Sequence, residues 1–124
     1  MKTAIVILSD PNSGSEEALG RVFNALAAAY DYKQAGADVI IQFQGAATRW
    51  VAELTKEDHI AYELFQAVSD KVDGVSCGCA DVFGGTEEAE KNGFALIKGN
   101  PVPGTSGLPS FYQLQKDGRQ IITF

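Results

Sequence analysis

Residues 3–20 read TAIVILSDPNSGSEEALG, and the spacing of apolar residues changes within them. Ala4 to Leu8 is an unbroken apolar run, rich in β-branched side chains and bounded by Ser9-Asp10-Pro11-Asn12. Such a run between turn formers predicts a strand buried on both faces, as inside a parallel sheet. Ser13-Gly14-Ser15-Glu16 then has capping-box spacing, with Glu16 and Glu17 suited to the positive end of a helix. Leu19, Val22, Phe23, Leu26 and Tyr30 follow at helical spacing, and Gly36 can close the helix.

The same alternation continues along the chain. Asp38 to Phe43 (DVIIQF) predicts a second strand, interrupted only by Gln42. Gln44 to Thr48 reads as a turn and Arg49 to Leu54 as a short helix around Trp50. Thr55 is placed to cap a further helix whose apolar stripe is Ile60, Leu64, Phe65 and Val68. Val75-Ser76-Cys77 reads as a third strand and Ala80 to Phe83 as the start of a helical turn. Thr86 is placed as the cap of an acidic-first helix ending at Asn92-Gly93. Phe94 to Ile97 is the fourth strand candidate, and residues 99–107 (GNPVPGTSG) form a loop of turn formers. Leu108 to Lys116 reads as helix, Gly118 as its stop, and Gln120 to Phe124 as the last strand.

Strands alternating with helices predict an α/β sandwich with a mostly parallel five-stranded sheet. A chain of 124 residues with 45% hydrophobic and 21% charged residues predicts one domain, residues 1–124, with a real core. Strand order does not follow from the pattern. Edge geometry does: in a parallel sheet, segments 9–15, 44–48, 77–85 and 99–107 all lie at the carboxyl edge, where open α/β sheets bind ligands.

Charge narrows the function. The net charge is −6 and no basic run exists, which disfavours nucleic acid as a partner. No apolar stretch approaches the ~20 residues of a membrane span, and Ala4–Leu8 is too short for a signal segment. A cytoplasmic protein is expected, in which thiols stay reduced.

Both cysteines, Cys77 and Cys79, fall at the carboxyl edge. A cysteine at a strand end, followed by Gly78 and a helical turn, is expected to meet backbone N–H groups that favour thiolate. Gly78 also lets a backbone or a substrate approach closely. That setting suits a nucleophile or persulfide carrier; the competing reading is a small buried hydrophobe. Cys79 is a secondary candidate, as a resolving thiol or as packing. A metal site needs more ligands than two cysteines and the single histidine, His59, provide, so none is expected. Ser9, Asn12, Ser13, Gly14 and Ser15 resemble a phosphate loop, but Asp10 and the two glutamates oppose an anion. Arg49 is the one basic residue placed near this edge, a candidate for steadying a thiolate or anion. Trp50 reads as core or as a subunit contact.

With these residues placed, the chain resembles the DsrE/TusD-like (DsrE/DsrF-like) proteins of bacterial sulfur relay. The resemblance rests on TAIVILSDPNSGSEEALG, on the short strand ending in Cys77 with small residues up to Gly85, on TEEAEKNG, and on the closing RQIITF. Where relay members often carry arginine before the glycine, this chain has Phe83 and Gly84. The resemblance implies a three-layer α/β/α sandwich with strand order 4-3-2-1-5, assembled as a homotrimer or hexamer. It also implies a persulfide on Cys77, passed from a sulfur donor protein to an acceptor without any cofactor. The alternative is a non-catalytic oligomeric module binding a nucleotide or flavin-like ligand through loops 9–15 and 99–107.

Overall fold

The computed structural model describes residues 1–124. The opening apolar run forms β1 (Lys2–Ile7), followed by α1 (Glu16–Gln34) and β2 (Asp38–Phe43). A 3-10 turn at Gly45–Arg49 leads into α2 (Trp50–Leu54), then α3 (Tyr62–Val68) and β3 (Val72–Ser76). The chain ends with α4 (Cys77–Phe83), α5 (Thr86–Lys91), β4 (Leu96–Ile97), α6 (Phe111–Lys116) and β5 (Gln120–Thr123). The five strands are all parallel, in the order β4-β3-β2-β1-β5. This is the sandwich and the strand order expected above.

Right-handed crossovers explain the layers. The chain steps in one direction from β1 to β4, so α1 to α5 share one face. The return from β4 to β5 puts α6 on the other. Side chains follow the strand period of two. Ile5, Ile7, Val39, Ile41, Phe43 and Val75 pack into one cluster with Val22, Leu26, Val51, Leu54 and Phe65. Ala4 and Val6 point the opposite way and are also fully buried. The layers are unequal. On the α6 side, Ile40, Gln42 and Ile97 line a groove of about 460 Å³ with Leu114 of α6. Gln42 belongs to this thinner side: its Nε2 donates to Asp73 Oδ2 at 3.0 Å and its Oε1 accepts from Gln44 Nε2 at 3.1 Å. That satisfies a polar group that is almost wholly buried. No helix is long and apolar enough to cross a membrane.

Several element ends differ from the expectation, each through local competition. Ser15, not Ser13, caps α1, accepting from Glu17 N at 3.1 Å, while Ser13 Oγ accepts from Ser15 N. Thr55 ends α2 instead of starting α3, donating its hydroxyl to Val51 O at 2.7 Å. A turn follows in which His59 Nδ1 accepts from Ala61 N, so α3 begins only at Tyr62. Ile60 therefore leaves the apolar stripe and is 74% exposed. Thr86 is the first residue of α5 and not its cap; Gly85 takes that position. Cys77 opens α4 and does not end β3, so no loop separates strand from helix there. The helix expected from Leu108 begins at Phe111, because Leu108 precedes Pro109 and is held extended against Asn100.

Candidate functional site

The residues expected at the carboxyl edge sort into two clusters. The first joins the β1–α1 connection to the start of α2. Trp50 is buried, and its Nε1–H donates to Ser9 O at 2.8 Å. Ser9 Oγ donates to Ala18 O at 3.3 Å. Arg49 Nη1 lies 3.2 Å from both carboxylate oxygens of Asp10, and Arg49 Nε donates to Phe83 O at 3.2 Å. Its guanidinium also stacks 5.2 Å from the Phe83 ring centre. Arg49 thus braces α4 from below, its charge paired with Asp10, and Trp50 is a core residue. Asn12 is exposed, its backbone N–H donating to Asp10 Oδ1. Asp10, Ser13 and Ser15 of this connection each accept from a backbone N–H as turn and cap, and the Glu17 carboxylate pairs with Arg21.

The second cluster surrounds Cys77. Both cysteines are free and half-buried. On a helix, residues two apart do not face each other, so Cys79 is not aimed at Cys77. The backbone donors expected to meet the Cys77 sulfur are committed elsewhere. Gly78 N–H donates to Gly107 O at 2.7 Å, and Cys79 N–H donates to Ser76 Oγ at 3.4 Å. What reaches Cys77 is a side chain: Ser106 Oγ lies 3.2 Å from its Sγ. The same oxygen lies 2.5 Å from Asp81 Oδ2.

Local packing explains why Ser106 arrives there. A Cβ on Gly78 would come within 2.8 Å of Leu108 Cδ1, 3.1 Å of Gly107 O and 3.2 Å of Thr105 Cβ. Only a residue without a side chain lets the 105–108 segment lie across the start of α4. Gly85 does the same at the other end, where a Cβ would lie 2.7 Å from Thr48 O. Between the loop and α4, Gly78, Asp81, Val82, Gly104, Thr105 and Ser106 line a cavity of about 290 Å³.

Of the expected residues, Cys77 and Gly78 come together, while Ser9, Asn12 and Arg49 belong to the other cluster. Sequence reasoning missed Ser106 and Asp81. Asp81 could have been found, since it follows Cys77 by one helical turn and so shares its face. Ser106 sits in a loop where serine is unremarkable as a turn former, and only the edge argument hinted at its neighbourhood. No group of three or more His, Cys, Asp or Glu side chains is arranged to hold a metal ion. The arrangement offers a thiol, a hydroxyl and a carboxylate in a row beside a small open cavity.

No curated protein and no solved structure matches the chain. A family model does match, over residues 1–124, and by that whole-length match the chain belongs to the DsrE/DsrF-like family.

Proposed function

We propose that the protein carries sulfane sulfur as a persulfide on Cys77 and passes it to an acceptor thiol. The observation that carries this reading is the position of the sulfur: a free, half-buried cysteine directly after the carboxyl end of β3, 3.2 Å from the hydroxyl of Ser106, which with Gly78 and Asp81 lines a small cavity. A cavity of about 290 Å³ sits at the small end of the roughly 300–1,000 Å³ range of ligand pockets. It suffices for a thiol or a persulfide head. The self-satisfied, acidic 9–15 connection likewise supports the carrier reading over the ligand-binding one. Family membership supports sulfur relay in general terms.

The chemistry balances without a cofactor. Cys77 thiolate attacks the outer sulfur of a donor persulfide. The new S–S bond forms as the donor's S–S bond breaks, and the donor leaves as thiolate and takes up a proton. In the second step an acceptor thiolate attacks the outer sulfur of the Cys77 persulfide and regenerates the Cys77 thiol. Thiolate is the nucleophile in both steps. The proposed setting is the cytoplasm, where both cysteines stay reduced.

Glutathione persulfide provides the test, with sulfur uptake followed by intact mass. Cys77→Ser is expected to abolish uptake and Cys79→Ser to retain most of it. Equal loss in both variants, or uptake that survives Cys77→Ser, contradicts the proposal.

We further propose that the carrier acts as a homotrimer or hexamer. Supporting this, Tyr112 is 73% exposed and Phe23, Tyr30 and Phe111 are partly so. Trp50 and Phe65 are core residues and add nothing to that surface. Light scattering at micromolar concentration is expected to give three or six chain masses; a monomer across dilutions rejects assembly.

A further inference from the structure

The Ser106 hydroxyl stands between two acceptors with one proton to give. Its oxygen is 2.5 Å from Asp81 Oδ2 and 3.2 Å from Cys77 Sγ. A carboxylate at that distance makes a short, charge-assisted hydrogen bond, whereas sulfur is a weak acceptor. The proton therefore points to Asp81, and the oxygen turns its lone pairs to the sulfur. A thiol satisfies that arrangement by donating its S–H to Ser106 Oγ. A thiolate does not, because it meets lone pairs instead of a donor.

Asp81 has no cation of its own to draw it away. It pairs with no lysine or arginine among the chain's ion pairs, and Arg49 is occupied by Asp10. Asp81 and Ser106 are both exposed, and Val82, on the rim of the same cavity, offers an apolar contact. A basic group arriving from outside could thus reach the carboxylate. Once Asp81 is paired with a cation, its hold on the hydroxyl weakens, and Ser106 is free to donate to the sulfur.

We propose that Asp81 and Ser106 form a latch that keeps Cys77 idle, released by a cationic side chain that a sulfur donor or acceptor presents beside its own thiol. This rests on the carrier reading of Cys77 and adds to it a positioning pair and a partner chemistry. Ser106 acts on the sulfur directly, and Asp81 acts through Ser106. Partners with lysine or arginine next to their reactive cysteine are favoured over acidic ones.

Alkylation of Cys77 by iodoacetamide, in a Cys79→Ser background, reads the latch without any sulfur transfer. Its failure is thereby separable from failure of the carrier reading. The rates are compared in about 0.5 M salt, so that the direct effect of the Asp81 charge is largely screened. Asp81→Asn is expected to raise the rate roughly five- to tenfold, the kinetic equivalent of about one hydrogen bond. With Ser106→Ala present, the same Asp81→Asn step is expected to change the rate by less than about twofold, and Ser106→Thr to restore the effect. At low salt, a cationic aminoethyl methanethiosulfonate should react faster than its anionic sulfonatoethyl analogue, and Asp81→Asn should narrow the gap. An Asp81→Asn step without acceleration, or with equal acceleration in the presence and absence of the Ser106 hydroxyl, overturns the latch. Equal rates for the two charged reagents overturn the cationic partner.

Discussion

Two clusters share the carboxyl edge of this sheet, and they are built in opposite ways. Around Trp50, every donor reaches a backbone carbonyl or a carboxylate: indole to Ser9 O at 2.8 Å, with Ser9 Oγ a longer second acceptor at 3.3 Å, Ser9 hydroxyl to Ala18 O, guanidinium to Asp10 and Phe83 O. Around Cys77, one hydroxyl serves two neighbours, and the thiol, the hydroxyl and the carboxylate all reach solvent to some degree. A cluster whose hydrogen bonds are complete is a brace. One with fewer protons than acceptors can change state when a charge arrives. Both lie where α/β sheets place ligands, so position alone does not separate them; hydrogen-bond accounting does.

The largest stability effect should therefore fall on the brace. Trp50→Ala removes a buried indole and strands Ser9 O, and is expected to cost about 3–5 kcal/mol in urea unfolding. Arg49→Met leaves Asp10 unpaired in a partly exposed site and should cost about 1 kcal/mol. Cys77→Ser, on the other side, should shift stability by less than about 1 kcal/mol while removing sulfur uptake. If Cys77→Ser destabilises as much as Trp50→Ala, the two clusters are both structural and the comparison fails.

A smaller effect sets the background against which both clusters are read. Lys33 Nζ, near the end of α1, donates to Asp70 Oδ1 at 2.8 Å and to Ala67 O at 2.7 Å. The hydrogen bond from Lys33 holds the Asp70 carboxyl below the usual carboxylate range, against the opposing effect of desolvation. A depressed folded pKa means stability that is present above the unfolded pKa and lost as pH falls through the folded one. Asp70 is more than half exposed, so Asp70→Asn should cost only a few tenths of a kcal/mol at neutral pH. The difference from the parent should vanish in acid and in high salt. Cys77 alkylation should not change.

What the sequence shows of this molecule follows from which forces are local. Ala4–Leu8 and Asp38–Phe43 were legible because a doubly buried strand needs an apolar run, and α1 because its stripe repeats over 19 residues. The order of strands was not legible from pattern; it entered with the family resemblance. Three helix starts differ from the pattern for separate reasons: Ser13 and Ser15 compete for the cap of α1, Thr55 bonds back into α2 instead of opening α3, and Leu108 precedes Pro109 and pairs with Asn100 ahead of α6. Cys77 stood out by its place at a strand end. Ser106 did not, since nothing local ties a serine in a glycine- and proline-rich loop to a cysteine 29 residues earlier. Its role arises from Gly78 and the close approach that a missing side chain permits. Arg49 was placed at the right edge, but its partner Asp10 was not foreseen, and that pairing moves it from site to scaffold.

The central claim is that chemistry at this edge belongs to Cys77 alone. Tandem mass spectrometry of the full-length protein after exposure to glutathione persulfide tests it most directly, by locating any added sulfur within residues 75–85. The account predicts one added sulfur atom on Cys77 and an unmodified Cys79, with the added atom lost when an acceptor thiol is supplied. No added sulfur, or sulfur carried on Cys79 instead, would contradict it.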